Sequence, residues 1–315
     1  MPEGGFQRQF HARRGGLRNP YVRDLAWLLD SPDLLDAGNP HWGGQIASLF
    51  AHLGQEIDDW LCQLDERPAE LQALIERHGF NRLGRYSELL MAFFLEHIGA
   101  LQMHGLQVRA ASGETVGEFD FLLRDPAARL VHWEFATKFY LLESDAPAYQ
   151  TDALVGPNLA DTLGAKMRKI LERQLHLSQH PAARAALKAL PEAAQALIKG
   201  WLFYPPEATP LSTAQGLNPA HCRGFWRPLS SLGELGHDCF LILPRLSWLA
   251  PARSARADCF DRNGALRALE LHFAKDNLPV MLALMEPDGG DAMEIERGFI
   301  VPDDWQTRAR LFLRQ

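Results

Sequence analysis

From Val131 to Leu141 the chain alternates without a break. Val131, Trp133, Phe135, Thr137, Phe139 and Leu141 fall on one side, and His132, Glu134, Ala136, Lys138 and Tyr140 on the other. Successive side chains of a strand point to opposite faces, so this run predicts a strand with one apolar and one polar face. Gly117 to Arg124 repeats the pattern, with Phe119, Phe121 and Leu123 on one face and Glu118, Asp120 and Leu122 on the other. Between the two runs, Arg124-Asp125-Pro126-Ala127-Ala128-Arg129 has Asp and Pro where a turn wants them. The pair predicts a hairpin that gathers Glu118, Asp120, Glu134 and Lys138 on one face. Taken alone, such alternation is also what any half-buried antiparallel pair shows, with its polar face in water and no chemistry.

The hairpin is preceded by a helical pattern from Gly84 to about Leu101. Tyr86, Leu89, Leu90, Phe93, Phe94, Ile98 and Leu101 form its apolar stripe, and Glu88 lies beside that stripe in the first turns. Gly105 to Ala110 predicts a first short strand. After the hairpin, Gly156-Pro157-Asn158 opens a helix expected over Leu159 to Leu177, with Lys166, Lys169 and Arg173 beside its apolar side. A further helical pattern covers Ala182 to Ile198, interrupted at Pro191, and Gly200 to Tyr204 predicts a buried strand closed by Pro205-Pro206.

Residues 1–19, rich in Gly and Arg, are expected to be disordered or loosely attached. Helices are expected at Tyr21 to Leu29, at Ile46 to Leu64 and from Pro68 through Ile75, which makes residues 1–80 a helical segment. Residues 81–205 form the expected core, and 206–315 a β-containing extension packed on it. Strands are predicted there at Cys239 to Leu243 and Pro279 to Leu284, and a helix at Ala265 to Phe273. The fold class is therefore α/β, with a mixed sheet flanked by helices.

With 47% apolar residues, a chain of 315 can bury a sizeable core. Its net charge of -7 argues against the whole surface collecting nucleic acid, although residues 156–200 hold seven Lys/Arg against three Asp/Glu, a local net of +4. Four dispersed cysteines without a Cys-x-x-Cys pair point to reduced thiols. Arg8, Arg13, Arg14 and Arg18 have no apolar run behind them, and no stretch approaches a membrane span, so the expectation is a cytoplasmic protein with no membrane partner. His176 and His180 have i, i+4 spacing but meet Pro181 at a helix end, and nothing in the spacing of Cys222, His237 and Cys239 makes a metal cluster. Trp201, Trp226 and Trp248 read as core, aromatics exposed in a groove being the alternative that could stack bases. Gly-rich phosphate loops, nucleophile elbows and dinucleotide fingerprints do not stand out.

The order helix, three strands, helix, strand, with Glu88 on the helix, Asp120 on the second strand and Glu134 on the third, resembles the PD-(D/E)XK nuclease-like superfamily. More narrowly, Arg23-Asp24-Leu25-Ala26-Trp27, Gly117-Glu118-Phe119-Asp120-Phe121-Leu122, His132-Trp133-Glu134 with Lys138-Phe139-Tyr140-Leu141, and Gly156-Pro157-Asn158 resemble an uncharacterised bacterial family assigned to that superfamily. The resemblance implies a restriction-endonuclease-like core and a Mg²⁺ or Mn²⁺ ion held by Asp120 and Glu134. It also implies catalytic roles for Glu88 and for Lys138 or Lys166, and DNA or RNA along Lys169 and Arg173. A hard cation prefers oxygen ligands. The superfamily's lysine follows its acid by two residues; here that position is Ala136, and Lys138 stands about 7 Å beyond Glu134 on the same face. Two functions are expected from this: a metal-dependent nuclease, or a nuclease-like fold without chemistry that binds nucleic acid or protein. A purely structural partner protein is a third.

Overall fold

The computed structural model describes residues 5–54, 56–143, 151–206, 208 and 216–314. Five helices come first: α1 (Phe6–Arg14), α2 (Pro20–Asp30), α3 (Ile57–Glu66), α4 (Ala69–His78) and α5 (Leu83–His97). Three strands follow, β1 (Leu101–Arg109), β2 (Thr115–Arg124) and β3 (Leu130–Leu142), then the short β4 (Leu154–Val155), α6 (Leu163–Glu172), α7 (Pro181–Ala186) and β5 (Ala193–Tyr204). The remainder comprises β6 (Cys222–Pro228), β7 (Phe240–Leu243), β8 (Arg253–Ala255), α8 (Arg262–Phe273), β9 (Val280–Asp288), β10 (Asp291–Val301) and α9 (Trp305–Phe312).

The strands form one mixed sheet in the order β1-β2-β3-β5-β6-β10-β9-β7, with β4 added to β3 and β8 to β10. Its middle is parallel, from β3 through β5 and β6 to β10, and both flanks are antiparallel. Strands following residue 205 therefore prolong the same sheet: Trp201 of β5 pairs with Cys222 of β6, and Phe225 of β6 with Gly298 of β10.

Both faces of the middle are covered, as parallel strands require. The odd residues of β3 enter the larger core with α2, α3 and α5, where Val131, Trp133, Phe135, Phe139 and Leu141 meet Trp27, Leu90 and Phe94. On the other face Tyr140 and Leu142 pack with α6 and β5 through Leu163, Met167, Ile170, Ala196 and Ile198. The predicted polar face of β3 is consequently not in water. His132 is 0%, Glu134 2% and Tyr140 1% exposed, which removes the bland account of the alternation.

Phe119 departs from its predicted face. It packs with Val108, Leu122 and Leu177, whereas Phe121 and Leu123 join the large core. The cause lies across the ladder at Gly105, between the pairs His104↔Phe121 and Leu106↔Phe119 and hence facing Asp120. Its φ of +64° is in the left-handed region that glycine tolerates, and it turns the strand pair locally.

Other elements differ from expectation for identifiable reasons. α1 is docked rather than loose: Phe10 and Arg14 are 2% and 3% exposed, and His11 Nε2 lies 3.0 Å from the Glu294 carbonyl. Over Ile46 to Leu64 the described residues form a 3₁₀ turn at Leu49–His52 before α3, Ile46 being held in a bridge to Ala196. The helix expected from Leu159 starts at Leu163, where Thr162 Oγ1 accepts from Ala165 N (3.1 Å), and gives way to a 3₁₀ segment at Gln174–Gln179. Ala193 to Ile198 belong to β5, not to a helix. Ala, Gln and Leu favour helix locally, but pairing with β3 from Val131↔Ala193 onward overrides that preference.

β3 and β5 approach closely where Gly200 faces Lys138. A Cβ at position 200 would stand 1.9 Å from the Lys138 carbonyl oxygen, so Gly200→Ala must push two central strands apart. A loss of about 1–3 kcal/mol or more is expected, read from the urea midpoint; an unchanged midpoint would show that the strands have slack.

Candidate functional site

The ladder between β2 and β3 stops at Phe121↔Trp133. Beyond it, Asp120 Oδ2 accepts from Phe135 N at 2.9 Å, a carboxylate standing in for the strand carbonyl that is no longer there. The strands part at that point and open a cleft of about 1320 Å³. Glu88, Asp120, Glu134, Lys138, Lys166, Lys169 and Arg173 all line it. Four elements thus converge: α5 brings Glu88, β2 Asp120, β3 Glu134 and Lys138, and the stretch from α6 to Arg173 the remaining cations.

One group of three carboxylates forms on the α5 side. Oxygens of Glu88, Glu118 and Asp120 lie within 4.8 Å of one another. Arg85, one helical turn before Glu88, reaches both glutamates, with Nη1 3.1 Å from Glu88 Oε1 and 2.9 Å from Glu118 Oε1. His104 Nε2 stands 3.0 Å from the same Glu88 oxygen. Glu134 is deeper. Its Oε1 is 3.1 Å from His132 Nε2, and its Oε2 accepts from Gln174 Nε2 at 2.5 Å. The expected pair Asp120 and Glu134 are neighbours, but the close carboxylate group is completed by Glu118 instead of Glu134.

These acids repel one another, and Asp120 and Glu134 are largely withdrawn from water. Burial pushes the Asp120 carboxyl up to about 7, helped by the Glu134 charge and opposed by the Phe135 N–H. Burial likewise raises Glu134 to about 7, with Lys166 and a hydrogen bond shared with Asp120 acting against it. Two adjacent carboxyls of this kind hold a proton between them near neutrality unless a cation takes its place. His132, lowered by burial to about 4, is a neutral imidazole at pH 7. Its Nδ1 and Gln174 Oε1 are buried with no hydrogen-bond partner among the described residues.

The lysines face the opposite problem. Lys138 and Lys166 are lowered chiefly by burial and further by neighbouring lysines, Lys166 bearing on Lys138 and Lys169 on both. Neither Nζ makes a hydrogen bond or ion pair with the described residues. Lys166 feels the Glu134, Asp120 and Asp161 charges at longer range, and two half-buried ammonium groups that line the cleft without a direct hydrogen bond or ion pair are set to receive an anion. Arg168, on the same helix as Lys166 and Lys169, is elsewhere: it is held bidentately by Asp152 at 3.0 Å and does not line the cleft. Its position, two residues from Lys166, turns it to another side of α6.

Sequence reasoning left out several participants. Arg85 carried a signal, its i, i+3 spacing to Glu88. Gln174 and His104 carried none, because a 3₁₀ turn and a cross-strand neighbour bring them in. The loop before α6 also lines the cleft through Gly156, Pro157, Asn158 and Asp161. Trp305 Nε1 anchors it by donating to the Pro157 carbonyl at 2.8 Å, and Leu159 inside it has a φ of +56°, the left-handed strain that functional loops store.

The residues that line the cleft run from Arg82 to Met281, inside a segment that matches a known family model from residue 23 to residue 301. The chain belongs to the family described as Domain of unknown function (DUF1853). The DUF1853 match begins at Arg23 in α2 and ends at Val301, the last residue of β10, so it takes in the whole sheet. Neither the curated proteins nor the solved structures contain a match to this chain. Among the described residues no helix is long and apolar enough to cross a membrane.

Proposed function

We propose that this cleft is the active site of a metal-dependent phosphodiesterase acting on DNA or RNA, built on a restriction-endonuclease-like core of the PD-(D/E)XK type. The observation that carries the reading is the convergence of Glu88, Glu118, Asp120 and Glu134 with unpartnered Lys138 and Lys166 in one cleft. The donor set fits a hard divalent cation: carboxylate oxygens within 4.8 Å of one another, and a pair of carboxyls that need either a proton or a cation. Asp120, with Glu134 or with Glu88 and Glu118, would hold Mg²⁺ or Mn²⁺. When bound, such an ion polarises a phosphate oxygen and lowers the pKa of a coordinated water.

The chain's own residues account for the rest of the hydrolysis. Lys138 and Lys166 supply positive charge where a phosphodiester gains negative charge in its transition state, and their partial burial makes that charge count for more than it would in water. Glu134, raised to about 7, can take up the proton of the attacking water at neutral pH. Lys169 and Arg173, exposed and further along the same side, can hold the flanking phosphates. The position of Lys138, two residues later than the superfamily's lysine, is accommodated because Lys166 enters the same space from α6.

One observation favours a second reading. Arg85 already supplies a cation to Glu88 and Glu118, as expected of a nuclease-like fold that has lost its chemistry and binds nucleic acid or protein. Incubating end-labelled DNA and RNA with the protein in Mn²⁺ and in EDTA separates the two. Metal-dependent cleavage is expected; binding in EDTA with no cleavage in Mn²⁺ would leave the binding module.

A further inference from the structure

The cleft has a second wall, contributed entirely by the chain after residue 240: Ile242 of β7, Arg245, Trp248, Leu278 and Met281. This wall differs in kind from the first. Among these five residues the one charge is Arg245; His272 and Asp276 also line this side, and Asp276 Oδ1 is engaged by accepting from Leu278 N at 3.0 Å. That guanidinium is exposed and makes no ion pair or hydrogen bond with the described residues; its one recorded contact places Cζ 5.8 Å from the Trp248 ring centroid. Trp248 is held in place by its Nε1, which donates to the Leu243 carbonyl at 3.1 Å. Its ring meets Phe139 at 62° and Phe299 at 86°, so no described ring lies parallel on it. Leu278, 48% exposed, forms the rim.

Phe139 joins the two walls. It follows Lys138 in β3, lines the cleft, and touches Trp248 with ring centroids 5.6 Å apart. A ligand whose phosphate met Lys138 and Lys166 would therefore have an aromatic and apolar surface next to it. That pairing of a cationic surface with a flat apolar one matches the two halves of a nucleotide. A base paired inside a duplex offers no free π-face, whereas an unpaired base can lie against aromatic, apolar or guanidinium surfaces. The volume agrees: about 1320 Å³ is only modestly larger than a small-molecule site of roughly 300–1,000 Å³, while a duplex would have to meet it from outside.

We infer that the wall of Ile242, Arg245, Trp248 and Leu278 is a nucleobase-binding surface, and that the ligand of this cleft is single-stranded nucleic acid with its bases unpaired. This rests on the phosphate-binding reading of the opposite wall, and it assigns to the C-terminal part of the sheet the selection between single strand and duplex.

The test is fluorescence anisotropy on the full chain in EDTA, with three labelled probes of equal length: a single-stranded oligodeoxynucleotide, the same strand as a blunt duplex, and an abasic sugar-phosphate strand. The single strand should bind at least about 10-fold more tightly than either other probe, since stacking of one base is worth roughly 5- to 150-fold in affinity. The double variant Arg245→Ala/Leu278→Ser changes only exposed side chains; it should bring the single strand close to the abasic affinity and weaken the abasic strand several-fold less, by the loss of one exposed charge alone. Equal binding of all three probes, equal weakening of single-stranded and abasic probes in the variant, or no binding of any probe would overturn the inference. Its failure is distinguishable from that of the hydrolytic reading. Base-dependent binding without Mn²⁺-dependent cleavage keeps the wall and removes the enzyme, and cleavage with no base dependence does the reverse.

Discussion

Replacing Asp120 with Asn should abolish Mn²⁺ binding measured by calorimetry and lower phosphodiesterase turnover by at least about 10³-fold, the scale of several kcal/mol that a bound cation contributes. The substitution is chosen for its shape. Asn retains a carbonyl oxygen that can accept from Phe135 N, now bonded to Asp120 at 2.9 Å, so the parted ends of β2 and β3 keep their tie. What disappears is the charge. Undiminished Mn²⁺ heat in the variant would move the cation to other ligands, and full turnover would sink the proposed role of Asp120.

The same variant separates site electrostatics from the rest of the fold through pH. Asp120 and Glu134 are both raised, from 3.8 and 4.5 to about 7. A carboxyl raised on folding contributes stability that is present below its unfolded pKa and is lost as pH rises through its folded value. Between about pH 4 and pH 6.5 this loss is opposed by His11, His132 and His221, which burial lowers from 6.5 to about 4 and which add stability as pH rises. The metal-free protein should therefore lose melting temperature from about pH 6.5 to pH 8, and Mn²⁺ should restore it most at the alkaline end, where no protons compete. Asp24, raised to about 6 by burial, adds a loss of the same sign. The comparison that matters is therefore with Asp120→Asn, whose decline should be shallower. Parallel profiles would show that the acids are not coupled to folding.

Arg297→Ala carries the largest expected cost in stability, about 3–5 kcal/mol, because it strands a buried charge. Arg297 and Glu294 are each 0% exposed. Arg297 Nε donates to Glu294 Oε1 at 2.6 Å and Nη2 to Glu294 Oε2 at 2.7 Å. The guanidinium also donates to the carbonyls of Trp248 and Ala250 and lies 4.4 Å from the centroid of Trp201. It thereby ties β10 to the segment that carries Trp248 into the cleft. Lys cannot substitute, since one ammonium lacks the planar fork. A urea midpoint shifted by less than 1 kcal/mol in Arg297→Ala would contradict this account. If the fold holds, Arg297→Lys should loosen single-strand binding more than it alters Mn²⁺ affinity.

The hairpin was legible because period-two alternation survives any context in which both faces of a strand are occupied. α5 was legible through its wide apolar stripe, whereas the gathering of Glu88 and Lys166 with Asp120, Glu134 and Lys138 of the hairpin is what the resemblance to the PD-(D/E)XK superfamily implies. Ala193 to Ile198 misled because helix preference is a local property and a central strand is a tertiary one. The docking of α1 was hidden by its composition: Arg14 reads as a solvated charge, yet it is buried against Asp30 at 2.6 Å and Asp58 at 2.6 Å. Gln174 falls inside the helix expected over Leu159 to Leu177, and the change to a 3₁₀ turn is what delivers it to Glu134.

By itself, then, the sequence determined the α/β class, the alternating hairpin and the identity of the acids and lysines, since each of these rests on periodicity and residue type. Only the tertiary structure decided which acids lie within 4.8 Å of one another, that Arg85 stands between two of them and that Arg168 does not take part. It alone decided that strands from beyond residue 240 close the cleft opposite the hairpin. The physical reason is the same in each case. Carboxylate spacing, ion pairing and the second wall depend on contacts between residues far apart in the chain, and those are set by how strands order themselves in a sheet and by a glycine's turn at position 105, not by any local pattern.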